Sequence, residues 1–426
     1  MKRSLLQSLA VAFLMIVDAS QATAADWPQW RGPNRNAVNP ETGLLDAWPV
    51  EGPKLLWEAK GLGRGYSSVA IVGNRLFTMG DLEEGQVKSQ FVIALDLTTR
   101  EVVWKTRVGA PHSDGSRCTP TVQEGLLYAL GTEGELVCLQ ADTGKEVWRK
   151  NLVTDLGGKM MSGWKYSESP LVDGDKLICT PGGPDAALVA LSRKTGELIW
   201  KCVPPAPNQM GGAGYASVVV STGAGVRQYV TVMGRGAIGV EAATGKFLWH
   251  YPRIANGTAN IPTPVAEGDF VFVSTGYGTG SALLKLVNAG DGVKAEEVYW
   301  LKANTFQCHH GGFLKLGEYI FGAHGHNGGN PICLEMATGK VMWLEKQPGE
   351  RSGAVICADN KLIFRYENNV VALMEANPKA YQLKSTFKVP GRPGMDGPGW
   401  AHPVVLNGRL YLRHSDYLFC YDIKNK

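Results

Sequence analysis

Residues 138–148 read CLQADTGKEVW. Near copies stand at 190–200 (ALSRKTGELIW), 239–249 (GVEAATGKFLW) and 333–343 (CLEMATGKVMW). Each ends on a tryptophan, and the tryptophans set a period. Trp57, Trp104, Trp148, Trp200, Trp249, Trp300 and Trp343 follow one another at 47, 44, 52, 49, 51 and 43 residues. A period near that length is too long for most helical repeats and suits a four-stranded propeller blade.

The residues between the tryptophans agree. In TPTVQEGLLYALGTEGELVCLQADTGKEVW, at 119–148, four short alternating runs are separated by three glycine-bearing turns. Alternation bounded by turn residues predicts strands, and no segment holds a helical period. The Thr-Gly pair falls at a hairpin corner, where glycine accepts a positive φ at little cost. The tryptophan then lies on the outer strand and docks against the neighbouring blade. A buried indole removes about 200 Å² from water, worth roughly 5 kcal/mol before opposing terms.

The repeats are not uniform. The first has Thr99-Arg100 in place of Thr-Gly, the fifth carries an insertion before Trp300, and the seventh, VVALMEANPKAYQLKSTF, lacks the tryptophan. The last, YLFCYDIKNK, stops before any outer strand. An open ring would expose strand edges. PKLLWEAK, which holds Trp57, has no earlier strands of its own and is expected to complete the final blade. The fold expected is an all-β propeller, a single ring of four-stranded blades over residues 54–426. Eight blades are expected, with seven as the alternative, closed by the two ends of the chain.

The N-terminus reads as a signal peptide over 1–24, followed by a leader over 25–53. Lys2 and Arg3 precede an apolar run from Leu5 to Val17, and Ala22-Thr23-Ala24 is a small-x-small site. Cleavage is expected after Ala24, without a lipid anchor, because no cysteine is near. Losing Lys2, Arg3 and Asp18 takes the formal charge from +4 to +3. The charges are interspersed, which argues against a nucleic-acid surface. A periplasmic or secreted monomer with no transmembrane segment is expected. The cysteines (Cys118, Cys138, Cys179, Cys202, Cys308, Cys333, Cys357, Cys420) are scattered through the repeats and read as buried small residues, with one or two disulfides left open.

The phrase A-x-D-x-x-T-G-x-x-x-W, seen also at 94–104, resembles the pyrroloquinoline-quinone-type propeller repeat, and DWPQWRGPNRNAV at 26–38 is similar to the leader of secreted bacterial proteins that carry it. The resemblance implies a fold and leaves two functions open. Quinoprotein dehydrogenases of the family bind the quinone on the axis with calcium, beneath an adjacent Cys-Cys disulfide, and use an aspartate base. Other members are protein-binding scaffolds. This sequence has no adjacent cysteine pair, and the family's calcium ligands and base do not map onto it.

A propeller funnel is lined by the starts of the innermost strands. Those starts supply Tyr66, Arg117, Trp164, Tyr166, Tyr215, Asn260, His309, His310, Arg351, Trp400 and His402, which are expected to converge on one mouth. Aromatic faces beside guanidinium and imidazole groups suit a planar or anionic ligand. His309-His310 and HGHNGG at 324–329 invite a metal reading. Neighbours on an extended strand point to opposite faces, so no metal is expected. Lys165 and Glu168 read as a solvated pair. No nucleophile or phosphate-cradling motif is present. The expected function is an exported, non-catalytic binding scaffold for a protein, peptide or saccharide, with no cofactor. The alternative is a dehydrogenase of alcohols or sugars that holds pyrroloquinoline quinone and calcium, with Arg117 and Arg351 on the quinone carboxylates.

Overall fold

Eight antiparallel sheets follow one another along the chain in a computed structural model, which describes residues 26–206, 208–290 and 292–425. Seven have four strands and one has a fifth, short parallel strand added to its inner edge, so the blade count is eight. The first blade runs Ala70–Val72, Arg75–Glu84, Val87–Asp96 and Val102–Gly109. The innermost strands of the others are Thr121–Gln123, Leu171–Asp173, Val219–Ser221, Val265–Glu267, Phe313–Leu316, Gly353–Ala358 and Val404–Leu406. Among the described residues, no helix is long and apolar enough to cross a membrane. The proposed signal peptide lies outside the described residues.

The ring closes as the truncated last repeat requires. Lys54–Lys60 pairs antiparallel with Tyr417–Asp422, placing Trp57 opposite Cys420 as the outer strand of blade 8. Two buried arginines reinforce the seam. Arg413 of blade 8 donates to the carbonyls of Leu62, Gly63, Ser67 and Met79, reaching across into blade 1. Arg365 of blade 7 donates to Ala401 O at 3.1 Å and to Arg413 O. Burial pulls both down, Arg365 to about 10 and Arg413 to about 9, so each stays charged at neutral pH.

The recurrent phrase works across blades. The ring of Trp148 lies on the Thr-Gly corner of the next blade, where a Cβ on Gly196 (φ +73°) would come within 2.8 Å of it. Trp104 meets Gly144 in the same way, and Trp200 meets Gly245. Glycine is therefore required twice, for its backbone conformation and for the space the indole fills. Where the phrase is broken, the packing changes. Blade 5 lacks the corner, and Trp249 turns into its own blade, donating to Gln228 Oε1 at 2.6 Å. Trp300 is covered instead by Arg253, 4.3 Å from its ring, while Tyr299 takes the place on Gly339. In blade 7, Phe387 replaces the missing tryptophan and meets Trp48 and Tyr421 at 5.1 and 5.0 Å. The expectation that every tryptophan is a buried inter-blade dock thus needs correction. Trp57, Trp200, Trp249 and Trp343 are buried, whereas Trp104, Trp148 and Trp300 are half-buried.

All eight cysteines are buried free thiols. The blade interfaces form the core, with the leader's Leu44 and Trp48 in the same apolar cluster as Leu418 and Phe419.

Candidate functional site

The leader crosses one end of the ring. Trp27 bridges to Ile71 in blade 1, and Pro28 O accepts from Val122 N in blade 2 at 2.8 Å. Arg35 donates to Ser169 O (2.7 Å) and Pro170 O (3.1 Å), at the start of the inner strand of blade 3. Trp30 Nε1 donates to Thr263 Oγ1 at 3.2 Å, and Arg31 to Phe313 O. Val38–Asn39 then joins blade 7 as a short parallel strand, and Asn39 Nδ2 donates to Val405 O at 2.6 Å. Arg31, Arg35 and Ala37 all have positive φ, a mark of how tightly this path is held. The funnel is thereby a cup, with Trp30 and Arg31 in its floor.

Above that floor is a cavity of about 350 Å³. Of the residues expected at the mouth, Tyr66, Arg117, Trp164, Tyr215, His309, His310, Trp400 and His402 line it. The rings are in mutual contact: Tyr66 with Trp400 at 4.7 Å, Trp400 with His310 at 4.8 Å, and His402 with Trp30 at 4.5 Å. Trp164 stands half-exposed at the rim. Each of these side chains sits just before an inner strand, which is why blade-by-blade reading could assemble them.

Three expected residues are elsewhere. Tyr166 is buried beside the funnel and donates to Pro181 O at 2.7 Å. Asn260 is fully buried and holds Met233 O (2.9 Å) and Asn256 N (3.0 Å). Arg351 is exposed, with φ +58°, and does not line the cavity, because the left-handed turn carries it outward. Glu168 is also no solvated residue. It is buried against Thr180, accepting from N at 2.6 Å and Oγ1 at 2.7 Å, and burial pushes its carboxyl up to about 7. Lys165 pairs with Glu133 instead, at 2.9 Å.

The electrostatics are muted. Both arginines that line the cavity are already engaged: Arg31 donates to Phe313 O, Arg117 Nη1 donates to Trp164 O at 2.6 Å, and Arg117 Nη2 meets His112 Nδ1 at 2.9 Å. Burial pushes His309 down to about 3, aided by neighbouring His310 and His326. Burial, with Arg31 beside it, pushes His402 to about 3 as well. Both imidazoles are therefore neutral at physiological pH.

Trp30, Arg31, Asp114 and Tyr277 also line the cavity without having been expected there, as does His326 of the HGHNGG stretch, and Glu367 stands behind them. Tyr277 carried the one available signal. It is a bulky residue between glycines in STGYGTG, and its positive φ (57°) aims the ring at His309 and His326. His309 and His310 do not lie on an extended strand. The chain bends there, and their rings come within 4.7 Å. The opposite-face argument against a shared ligand does not apply.

A family model described as "Outer membrane protein assembly factor BamB" matches residues 88–345, more than half of the chain. The chain belongs to this family. Among curated BamB proteins, that of Shewanella oneidensis is 22% identical over 383 residues, covering 78% of this chain and 91% of its own. The lanthanide-dependent methanol dehydrogenase of Methylacidiphilum fumariolicum is 26% identical over 228 residues, covering 47% of this chain and 36% of its own. Among solved structures, BamB from Moraxella catarrhalis superposes with TM-score 0.61 at 14% identity, over 87% of this chain and 98% of that one. Quinohemoprotein alcohol dehydrogenase from Comamonas testosteroni gives 0.64 at 12% identity, over 94% and 81%. The structural likenesses carry the fold alone.

Proposed function

We propose that the protein is an exported, non-catalytic binding propeller of the BamB family whose axial cup captures a saccharide ring of its partner. The parts are a signal peptide (1–24), a leader that floors the cup (25–53) and the ring (54–426). The observation that carries this reading is the cavity itself. It is sized for a small ligand, open at one end, and walled by Tyr66, Trp164, Tyr215, Tyr277 and Trp400 above Trp30. Sugars present C–H faces that stack on such rings, and pockets of this kind combine aromatic walls with a few fixed polar groups. A neutral ligand suits walls where Arg117 is already hydrogen-bonded and where His309 and His402 are uncharged.

The residues do not fit a calcium-bound quinone. A tricarboxylate needs free cations, but Arg351 faces away and Arg117 holds a carbonyl and an imidazole. Calcium takes six to eight oxygen ligands, whereas the donors gathered here are mostly imidazole nitrogens. Support for the scaffold role also comes from the relatives named as outer membrane assembly factors.

The test is a titration of the mature protein with neutral di- and trisaccharides, followed by tryptophan fluorescence. Saturable quenching is expected, weakened at least about tenfold in Trp400→Ala with an unchanged melting midpoint. Absence of saturation up to about 10 mM sugar would refute the reading, and so would calcium-dependent binding of pyrroloquinoline quinone.

A further inference from the structure

The wall of the cup between blades 6 and 7 contains a feature that sugar binding does not use. After Cys308 the chain bends through His309 and His310 into two glycines. A Cβ on Gly311 would come within 1.6 Å of Gly353 O, so only glycine lets blade 6 approach blade 7 here. At the bend the two imidazole rings lie 4.7 Å apart. Glu367 reaches them from the hairpin that links Lys361–Tyr366 to Val370–Glu375 in blade 7. Its Oε1 lies 3.6 Å from His310 Nε2. One donor atom from each of His309, His310 and Glu367 falls within 4.8 Å of the other two.

The surroundings hold these groups as ligands are held. His309 Nδ1 meets Ser352 Oγ at 2.9 Å, and Ser352 N donates to Glu367 Oε1 at 3.3 Å. One serine thus orients an imidazole and a carboxylate from two blades. With Nδ1 donating, His309 Nε2 carries the lone pair, and it faces the Tyr277 hydroxyl at 3.1 Å. Metal-ligating histidines are usually fixed in this way through the second nitrogen. His310 Nε2 is shielded from solvent, and Glu367 Oε1, at 3.6 Å, is beyond hydrogen-bond length from it. Nδ1 of His326, whose ring is 4.4 Å from that of His309, is also shielded and has no hydrogen-bond partner. Buried imidazole nitrogens without partners are costly, and they cluster around a carboxylate.

We propose that His309, His310 and Glu367 form a three-ligand site for a zinc-type divalent transition metal, with its fourth position open to the cup beside His326 and Tyr277. Two imidazoles and one carboxylate are a donor set that suits zinc or cobalt and leaves hard, oxygen-seeking cations poorly served. Bonds of about 2.0–2.1 Å place tetrahedral ligand atoms roughly 3.3 Å apart. The His310–Glu367 pair is nearly there, and His309 closes the triangle by rotating away from the Tyr277 hydroxyl. A metal so held would present a Lewis-acidic position to a hydroxyl or carboxylate of whatever enters the cup. The inference goes beyond sugar capture and stands without it.

The mature protein is treated with chelator, desalted and titrated with cobalt(II) chloride, reading absorbance between about 500 and 650 nm. A saturable one-to-one band is expected, displaced by zinc and not by calcium. Affinity should fall at least about 100-fold in Glu367→Gln and in His310→Ala, with Tyr277→Phe retaining the band. Circular dichroism and melting of the metal-free variants check folding, and His310→Gln replaces His310→Ala if the latter does not fold. No saturation below about 100 µM cobalt overturns the proposal, as does a band of equal affinity in the folded variants. The sugar titration is run in chelator, so a failure of sugar binding and a failure of metal binding are read separately.

Discussion

If the indole of one blade and the glycine of the next form a single joint, their free energies must be coupled. Gly196→Ala tests this. The substitution places an L residue at φ +73° and a methyl group 2.8 Å from Cδ2 and 2.9 Å from Cε3 of Trp148. The backbone alone costs about 1–2 kcal/mol. Overpacking adds about 1–3 kcal/mol, giving roughly 2–5 kcal/mol in the native background. In a Trp148→Ala background the methyl group has room, and only the backbone part, about 1–2 kcal/mol, remains. The coupling energy is therefore about 1–3 kcal/mol. Trp148 is half-buried, so the background variant keeps its fold. It loses the indole N–H bond to Arg193 O (3.0 Å) and part of its apolar contact. Urea unfolding of the four proteins, compared at equal m-values, measures the cycle. Equal cost of Gly196→Ala in both backgrounds would refute the joint and leave glycine as a turn residue only.

Further outcomes are expected elsewhere. Glu168 has a folded pKa of about 7 against an ordinary 4.5, so the native state holds a proton that the unfolded chain has lost. That contribution is complete below about pH 4.5 and fades as pH rises to 7, a change on the order of 3 kcal/mol, and Glu168→Gln should flatten the stability-against-pH curve over that window. Arg413→Met strands four backbone carbonyls at the seam and should lower stability by about 3 kcal/mol or more, so an unmoved urea midpoint would contradict the seam's role. The eight thiols should ignore Ellman's reagent in the native protein and all react in guanidinium, since burial raises their pKa values as well as hiding them.

The repeat was legible because it is local. A hairpin corner, a strand period and a tryptophan are all written within a dozen residues, and the Trp57 strand could be assigned to the last blade because that blade visibly lacked one. The mouth residues followed from the same alignment wherever a blade starts regularly, as at Tyr66, Tyr215 and Trp400. Arg351 broke the rule through a left-handed turn that its letters do not announce. The floor was illegible for a different reason. Trp30 and Arg31 have no periodic context, and their place depends on contacts with blades hundreds of residues away in sequence. Glu367 lies in an ordinary Glu-Asn-Asn turn, and nothing local distinguishes it from a solvated loop acid.

The strand that closes the ring, Lys54–Lys60, precedes the first blade in sequence, and its partner, Tyr417–Asp422, follows the other seven blades. A chain that emerges N-terminus first must therefore keep Lys54–Lys60 unpaired while seven blades form. Folding has a late step of high sequence separation, which pays its loop-closure entropy before any contact rewards it. Until that moment two sheet edges are open to a second copy of the chain. Deleting Tyr417–Asp422 would remove the latch itself, and the expected product is an oligomer joined edge to edge.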